Sequence, residues 1–362
     1  MLPPKIIEQR HNGMELLNLS LTELEEAAKA LGEPKYRARQ LFDWLYKGVT
    51  DFDDMKNIPA RLREKFKENF EISSPVITKE QVSKEDGTRK FLLEYSDGIA
   101  IETVFMKYKY GNTLCVSSQA GCRMGCKFCA STVNGLSRNL TSGEMVAEIL
   151  TVENRMREDL NNGSRSEKDW RIGHVVGMGT GEPFDNYENV SKFINLIHDP
   201  NGLNISMRNI TVSTCGLVPL IDRFGDDFPQ VNLAISLHGT TDEIRSSMMP
   251  INNRYPIKEL IEAAKTYTEK TNRRITFEYT MVNGVNDSDE DAIRLIKLLR
   301  GMLCHVNIIP LNNVEGSGFD TVSRKRAGEF AEILEKAGLP VTVRRELGRD
   351  IDAACGQLRL KS

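Results

Sequence analysis

The sequence predicts an α/β protein: an open, partial (β/α)6 barrel preceded by a small helical domain and a linking β-hairpin. Short β-branched or apolar runs at 113–117, 174–178, 209–214, 231–237, 274–281, 304–309 and 340–344 alternate with helical patterns. The clearest helical patterns lie at 142–159, 187–198, 256–271, 287–299 and 324–337. Such alternation implies parallel strands joined by crossover helices. Six or seven units are too few to close an eight-fold barrel. Ahead of them, residues 21–70 carry helical spacing and residues 75–108 carry strand alternation. The expected division is a helical accessory domain over 1–74, a hairpin linker over 75–108, the barrel over 109–345 and a tail over 346–362.

The elements follow in order. Leu21, Leu24, Ala27, Ala28 and Leu31 form one helical stripe, stopped by Gly32 and Pro34. Ala38, Leu41, Phe42, Leu45 and Tyr46 form a second before Gly48. Leu62, Phe66 and Phe70 form a third, ringed by Arg61, Arg63, Lys65 and Lys67. Composition favours a solvated face for those charges. Phe91, Leu93 and Tyr95 lead into the turn triplet Ser96-Asp97-Gly98, and Ile99, Ile101, Thr103 and Phe105 follow, which is a hairpin pattern. Glu102 is out of phase with the larger apolar residues of its strand. A carboxylate there is more often a lysine's partner than a base.

Composition bounds the function without choosing it. A chain of 362 residues holds one large core and a smaller domain. With 48 basic and 51 acidic residues, net charge gives no sign of nucleic-acid binding. A nucleic-acid-binding chain with this balance would have to gather its basic residues on one face. The first ten residues contain no apolar h-region and no run approaches a membrane span, so a soluble, cytosolic (cytoplasmic) protein is expected. Seven cysteines in a reducing compartment point to metal and redox chemistry.

The chemistry is concentrated in Cys122, Cys126 and Cys129, a C-x3-C-x2-C run. Three thiolates on one short loop suit three irons of a four-iron cluster, leaving the fourth iron open. S-adenosylmethionine, with an amino and a carboxylate group, suits that position. The alternative is zinc, whose structural sites take four ligands. No second C-x2-C knuckle exists in the chain. Other polar groups cluster at predicted strand exits: Gly181 and Glu182 in Gly177–Pro183, Ser213, then Ser236, Leu237 and His238, and Asn312. Any one of these could cap a helix or satisfy a turn. Their convergence on one rim favours a ligand site, because functional groups of such barrels gather at the C-terminal strand ends.

The cysteine run resembles the radical S-adenosylmethionine superfamily. Gly-Thr-Gly-Glu-Pro at 179–183, Ser-Leu-His at 236–238 and Asp-Ile-Asp-Ala-Ala-Cys-Gly-Gln-Leu at 350–358 resemble the RlmN family. The match covers nearly the whole chain, and its C-terminal segment is the most specific part. The resemblance implies a methyltransferase acting on adenine C2 in 23S ribosomal RNA and in some transfer RNAs. It implies a 4Fe-4S cluster on Cys122, Cys126 and Cys129, and two S-adenosylmethionine molecules per turnover. Gly181, Glu182, Ser213, Ser236, Leu237, His238 and Asn312 are then the expected contacts to S-adenosylmethionine. Phe128 is expected against the nucleoside, and between the first two cysteines the spacing matters more than the identity of Arg123.

The same resemblance assigns Cys355 as the thiol that carries the methyl to RNA through a transient crosslink. Cys115, otherwise a small core residue, becomes the thiol that resolves the crosslink by forming a disulfide with Cys355, and Glu102 the proton acceptor. Cys215 and Cys304 have no matching role and are expected to be structural. The N-terminal domain is expected to bind RNA, which makes Arg61, Arg63, Lys65 and Lys67 candidate contacts as well as a solvated face. An electron donor such as flavodoxin is expected to serve the cluster, and the chain to be monomeric. Three rivals stand: a Cfr-like adenine-C8 methyltransferase, a glycyl-radical activase, and a zinc-organised RNA-binding module without catalysis. The Cfr pattern has alanine after the glutamate, where this chain has Pro183.

Overall fold

The computed structural model describes residues 14–162, 170–312, 318–345, 347–353 and 356–358. β1 (Met14–Glu15) opens it, followed by α1 (Leu21–Ala30), α2 (Lys35–Leu45) and α3 (Ala60–Asn69). β2 (Phe70–Glu71) closes this unit by pairing in parallel with β1. Ser20 and Glu23 form a reciprocal capping box at the start of α1, which satisfies two donors that the helix itself leaves open. The expected stripes bury Leu24, Ala27 and Ala28 from α1, Ala38, Leu41 and Phe42 from α2, and Leu62 and Phe66 from α3.

β3 (Val76–Val82), β4 (Arg89–Glu94) and β5 (Ala100–Tyr108) run antiparallel, and β5 pairs antiparallel with β6 (Gly111–Cys115). The hairpin read from sequence is therefore the β4–β5 portion of a larger sheet. β3 was not legible because both its faces are largely exposed, so no clean alternation marks it. After β6 come β7 (Gln119–Gly121) and β8 (Leu136–Asn139), an antiparallel pair that brackets the cysteine run, and then α4 (Ser142–Asn162). The chain continues through β9 (His174–Gly177), α5 (Tyr187–His198), β10 (Ile210–Thr214), α6 (Val218–Asp227) and β11 (Asn232–Ser236). It ends through α7 (Asp242–Met248), α8 (Ile257–Thr271), β12 (Ile275–Met281), α9 (Asp289–Leu299), β13 (Cys304–Pro310), α10 (Arg324–Lys336) and β14 (Val341–Val343).

The main sheet has the order β14-β13-β12-β11-β10-β9-β6-β5-β4-β3. From β6 to β14 all neighbours are parallel, as the alternation required. The sheet is open at both edges, β14 having only three residues. α6 and α7 escaped the sequence reading. α6 contains Pro219 and Gly225, which look like breakers. The proline stands in the first turn, where a missing N–H costs nothing, and the glycine lies against the Tyr267 ring.

One face of the parallel strands, with Leu114, Val175, Val212, Leu233, Ile235, Phe277, Val306 and Ile308, is buried in the main core. The same hydrophobic cluster includes the N-terminal helices. Polar contacts lock this junction. Asn18 Oδ1 accepts from Ser142 Oγ (2.9 Å) and Gly143 N (2.6 Å) at the start of α4, and a Cβ at Gly143 would meet Asn18 N at 2.8 Å. Lys192 of α5 reaches Glu23 of α1 at 2.8 Å. On the opposite face, alternate residues Ser213, Ser236, Glu278 and Thr280 line a cavity. Among the described residues no helix is long and apolar enough to cross a membrane.

Candidate functional site

A cavity of about 150 Å³ lies at the C-terminal ends of the parallel strands. Cys122, Cys126 and Cys129 line it from the β7–β8 connection, Gly181 and Glu182 from the exit of β9, Ser213 from β10, Ser236 and His238 from β11, and Asn312 from β13. Leu237 is the exception among the expected contacts. Its side chain is buried in the main core, and its backbone N–H donates to Glu278 O at 3.0 Å. A strand that ends at 236 turns alternate side chains apart, so Ser236 and Leu237 face opposite ways.

The cysteine loop is held at its base. Cys122 N donates to Gly135 O at 2.9 Å, and Gly121, at φ 81°, approaches so closely that a Cβ would stand 2.0 Å from the same oxygen. Only glycine fits there. Lys127 N donates to Met248 O at 2.9 Å, and Thr132 Oγ1 donates to Cys129 O at 3.0 Å. Burial pushes the Cys122 thiol up to about 12, and Cys129 and Glu182 push it the same way. Cys126 is driven well up for the same reasons. Phe128 lines the cavity and stands edge-on to the His238 ring, with centroids 4.8 Å apart.

Glycines let the β9 exit approach the segment that leads from β6 into the cysteine loop. A Cβ at Gly179 would lie 2.6 Å from Val116 O, and one at Gly181, where φ is +111°, 2.7 Å from Gln119 Cβ. Glu182 is buried, and its carboxylate accepts from Phe184 N (3.0 Å) and Cys215 N (2.7 Å). Burial raises its pKa, while those amides oppose the rise. His238, in the left-handed region at φ 53°, accepts Thr280 N–H on Nδ1 at 2.9 Å. The neutral ring therefore carries its proton on Nε2. Burial first, and Arg245 second, push its pKa down to about 3.

Three residues in or behind this cavity drew no site assignment from sequence. Cys215, expected to be structural, lines the cavity and packs with Cys126, Met248 and Met249. Its position directly after β10 was the available signal. Cys304 is buried in the main core, as expected. Arg245 is fully buried on α7 and donates to Cys215 O (2.6 Å), Leu237 O (3.1 Å) and Asn252 Oδ1 (3.0 Å). Burial lowers its pKa to about 10, leaving a cation behind two strand exits. Glu278 also lines the cavity, with Asn307 Nδ2 donating to its Oε2 at 2.8 Å.

Cys115 and Glu102 sit outside this cavity. Cys115 ends β6 and packs with Val104, Met106, Ile351, Ala353 and Leu358, a small cluster separate from the main core. Glu102 is buried on β5, with Oε1 3.1 Å from Lys90 Nζ. It lines a second, smaller cavity with Thr180, Ser131 and Leu358. Lys90 Nζ also donates to Asp352 O at 3.0 Å. The tail is tied to the cysteine loop as well: Ala130 N donates to Gly356 O (2.7 Å) and Ser131 Oγ to Leu358 O (3.0 Å). Gly356 lines the main cavity. Cys355 lies outside the described residues.

Two family models match: the ribosomal RNA large subunit methyltransferase N-terminal domain over residues 14–72, and the radical SAM superfamily over 116–296. A probable dual-specificity RNA methyltransferase RlmN from Clostridium novyi (strain NT) is 52% identical over 95% of this chain and 97% of its own. The chain belongs to the RlmN family. A second RlmN relative, from Clostridium perfringens (strain 13 / Type A), is 52% identical over 95% of this chain and 96% of its own. The crystal structure of a radical SAM methyltransferase from Sphaerobacter thermophilus superposes with a TM-score of 0.89 at 47% identity, covering 96% of this chain and 99% of that one. The partial barrel expected from the alternating pattern, and the radical SAM fold that the resemblance implied, are thus the fold of the chain.

The RlmN family uses a 4Fe-4S cluster and S-adenosylmethionine. The cavity suits both. Among the described residues no three His, Cys, Asp or Glu side chains are gathered to hold a single metal ion. A four-iron cluster asks for something else, each thiolate on a different iron, and Cys122, Cys126 and Cys129 stand around one cavity. Burial, the neighbouring thiols and Glu182 all push the Cys122 and Cys126 thiols up, an environment that a cationic metal centre relieves.

Proposed function

We propose that this chain is a dual-specificity RNA methyltransferase that methylates C2 of an adenosine in 23S ribosomal RNA and of an adenosine in transfer RNA. The carrying observation is one cavity lined by the three cysteines and by the C-terminal ends of five parallel strands, β9 to β13, in a chain similar to RlmN relatives over nearly its whole length. In this reading Cys122, Cys126 and Cys129 hold the cluster. Glu182, oriented by two backbone amides, receives the ammonium of S-adenosylmethionine, and Ser213, Ser236, His238 and Asn312 hold the rest of it. The bound pair supplies a methyl group and a carbon-centred radical, which the electron-poor C2 position requires.

The protein's own groups do the remainder. Cys355 carries the methyl, which gives up one hydrogen to the carbon-centred radical, and the resulting methylene joins Cys355 to C2. Glu102 takes the C2 proton. The Cys115 thiolate attacks the Cys355 sulfur: the disulfide forms, the sulfur–carbon bond breaks with its electron pair left on the carbon attached to C2, and that carbon takes a proton to become the methyl. Three contacts support the tail's part in this: Cys115 packs against Ile351 and Ala353, Lys90 bridges Glu102 and Asp352, and Gly356 borders the cavity. Pro183 after Glu182 favours C2 over the Cfr-like C8 outcome. The site operates in the cytoplasm with an electron donor such as flavodoxin, and the chain works as a monomer.

RNA contact is assigned to the N-terminal helices, with α2 favoured over α3. On α3, Lys65 is paired with Glu33 (3.2 Å) and Lys67 with Asp53 (2.8 Å) and Glu64 (3.2 Å). α2 leaves Tyr36 and the following Lys47 exposed, with Arg37 over the Tyr36 ring at 4.8 Å. Basic and stackable groups together suit RNA.

The test is anaerobic reaction of cluster-loaded protein with reductant, S-adenosylmethionine and 23S RNA, followed by denaturing gels and nucleoside mass spectrometry. Wild type should yield 2-methyladenosine. Cys115→Ala should accumulate a reductant-resistant protein–RNA adduct whose peptide contains Cys355, and Cys355→Ala should form none. Normal turnover by Cys115→Ala would overturn the role of that thiol, and a methyl at C8 would overturn the regiochemistry.

A further inference from the structure

Arg123 stands between the first two cysteines of the loop, and its side chain reaches out of that loop. Its Nε donates to Asp185 Oδ2 at 2.9 Å, and Nη2 donates to Asp185 Oδ1, so the pairing is two-pronged. Asp185 lies three residues beyond Glu182 and its side chain is 9% exposed. Gln119, fully buried on β7, joins the same carboxylate: its Nε2 donates to Asp185 Oδ2 at 2.9 Å. The other end of that amide, Oε1, accepts the Glu182 N–H at 2.8 Å. The circuit therefore runs from the cysteine loop through Arg123 to Asp185, then through Gln119 to the backbone of Glu182.

We infer that Arg123, Asp185 and Gln119 form a latch that fixes the cysteine loop against the Glu182 loop and so sets the affinity for S-adenosylmethionine. The inference rests on reading the cavity as the site of the cluster and S-adenosylmethionine. A ligand that must touch both an iron held by one loop and a carboxylate on another binds best when the two loops are already in register, because ordering them on binding costs affinity. A two-pronged guanidinium–carboxylate pair fixes orientation as well as distance, which a lysine cannot reproduce. The Arg123 side chain is 62% exposed. Water screens such a charge, so its contribution is positional and only weakly to overall folding. Arg123, Asp185 and Gln119 are positioning residues in this scheme.

The experiment uses the full chain with its cluster reconstituted anaerobically. Iron and acid-labile sulfide are counted per chain. Binding of labelled S-adenosylmethionine is measured by equilibrium dialysis, and the reduced cluster is followed by electron paramagnetic resonance with and without S-adenosylmethionine. Arg123→Ala and Asp185→Asn should keep wild-type iron and sulfide while the dissociation constant rises about tenfold, an ordinary loss for one charge-assisted pair. Arg123→Lys should behave like Arg123→Ala. The double variant should be no worse than either single one, since the two residues share one interaction. The S-adenosylmethionine-induced change in the resonance spectrum should need correspondingly more ligand.

Unchanged affinity in Arg123→Ala, or fully additive losses in the double variant, would overturn the latch. Loss of iron in step with affinity would overturn it too, since Arg123 would then serve the fold of the cysteine loop. If the wild type itself takes up neither cluster nor S-adenosylmethionine, the reading of the cavity fails first.

Discussion

Gly181→Ala probes how tightly the β9 exit is pressed onto Ser118 and Gln119, the segment that leads into the cysteine loop. Two costs combine. The residue stands at φ +111°, where a side chain collides with its own backbone, and leaving the right-handed region costs about 1–2 kcal/mol. The new Cβ would also stand 2.7 Å from Gln119 Cβ and 2.8 Å from Ser118 Oγ. Forcing a methyl into such packing costs about 1–3 kcal/mol, so the total is about 2–5 kcal/mol. Neither contact can relax freely: Gln119 is tied to Asp185 and to Glu182 N, and the backbone of Ser118 to Thr180 O at 2.9 Å. Gly173→Ala is the control, since its Cβ would meet nothing within 4 Å and its φ is unstrained. Urea unfolding of the cluster-free proteins should place Gly181→Ala well below wild type and Gly173→Ala within about 0.5 kcal/mol of it. S-adenosylmethionine binding to the reconstituted variant should weaken with it. If Gly181→Ala unfolds and binds like the control, the close approach of the β9 exit to Ser118 and Gln119 is not what requires glycine there.

Two further outcomes follow. Glu148 on α4 is fully buried and accepts Ser117 N–H at 3.1 Å, and burial lifts its pKa well above 4.5. The folded chain thus keeps a proton that the unfolded chain releases near pH 4.5, so this stability is full below that pH and is lost as pH rises toward the folded value. Glu148→Gln should gain on wild type in urea midpoint as pH rises from about 5.5 to about 8.5. A gap that stays constant over that range would refute the assignment. On the N-terminal helices, replacing Arg37 and Lys47 by alanine should reduce the salt slope of RNA binding by about 2, while alanine at Lys65 and Lys67 leaves it nearly unchanged. A larger effect from the Lys65 and Lys67 pair would move the RNA face from α2 to α3.

The sequence by itself determined the fold class, the alternation of the parallel strands with most of their crossover helices, and the identity of the cysteine loop. Each is written in local patterns: the period of apolar residues, the C-x3-C-x2-C spacing, and polar residues placed where strands stop. The strand exits of Glu182, Ser213, Ser236, His238 and Asn312 could be named in advance because parallel strands all deliver their ends to one rim. Only the tertiary structure decided what lies between them. Leu237 and Ser236 are neighbours in sequence, yet one enters the core and the other the cavity. Cys215 became part of the site, and Arg123 acquired a partner 62 residues away. Lys65 and Lys67 were spent on acidic neighbours that helical spacing alone could not foresee. The physical reason is common to all of these: a side chain's partner is set by contacts between segments distant in the chain, and periodicity reports which face a residue occupies without reporting what that face meets.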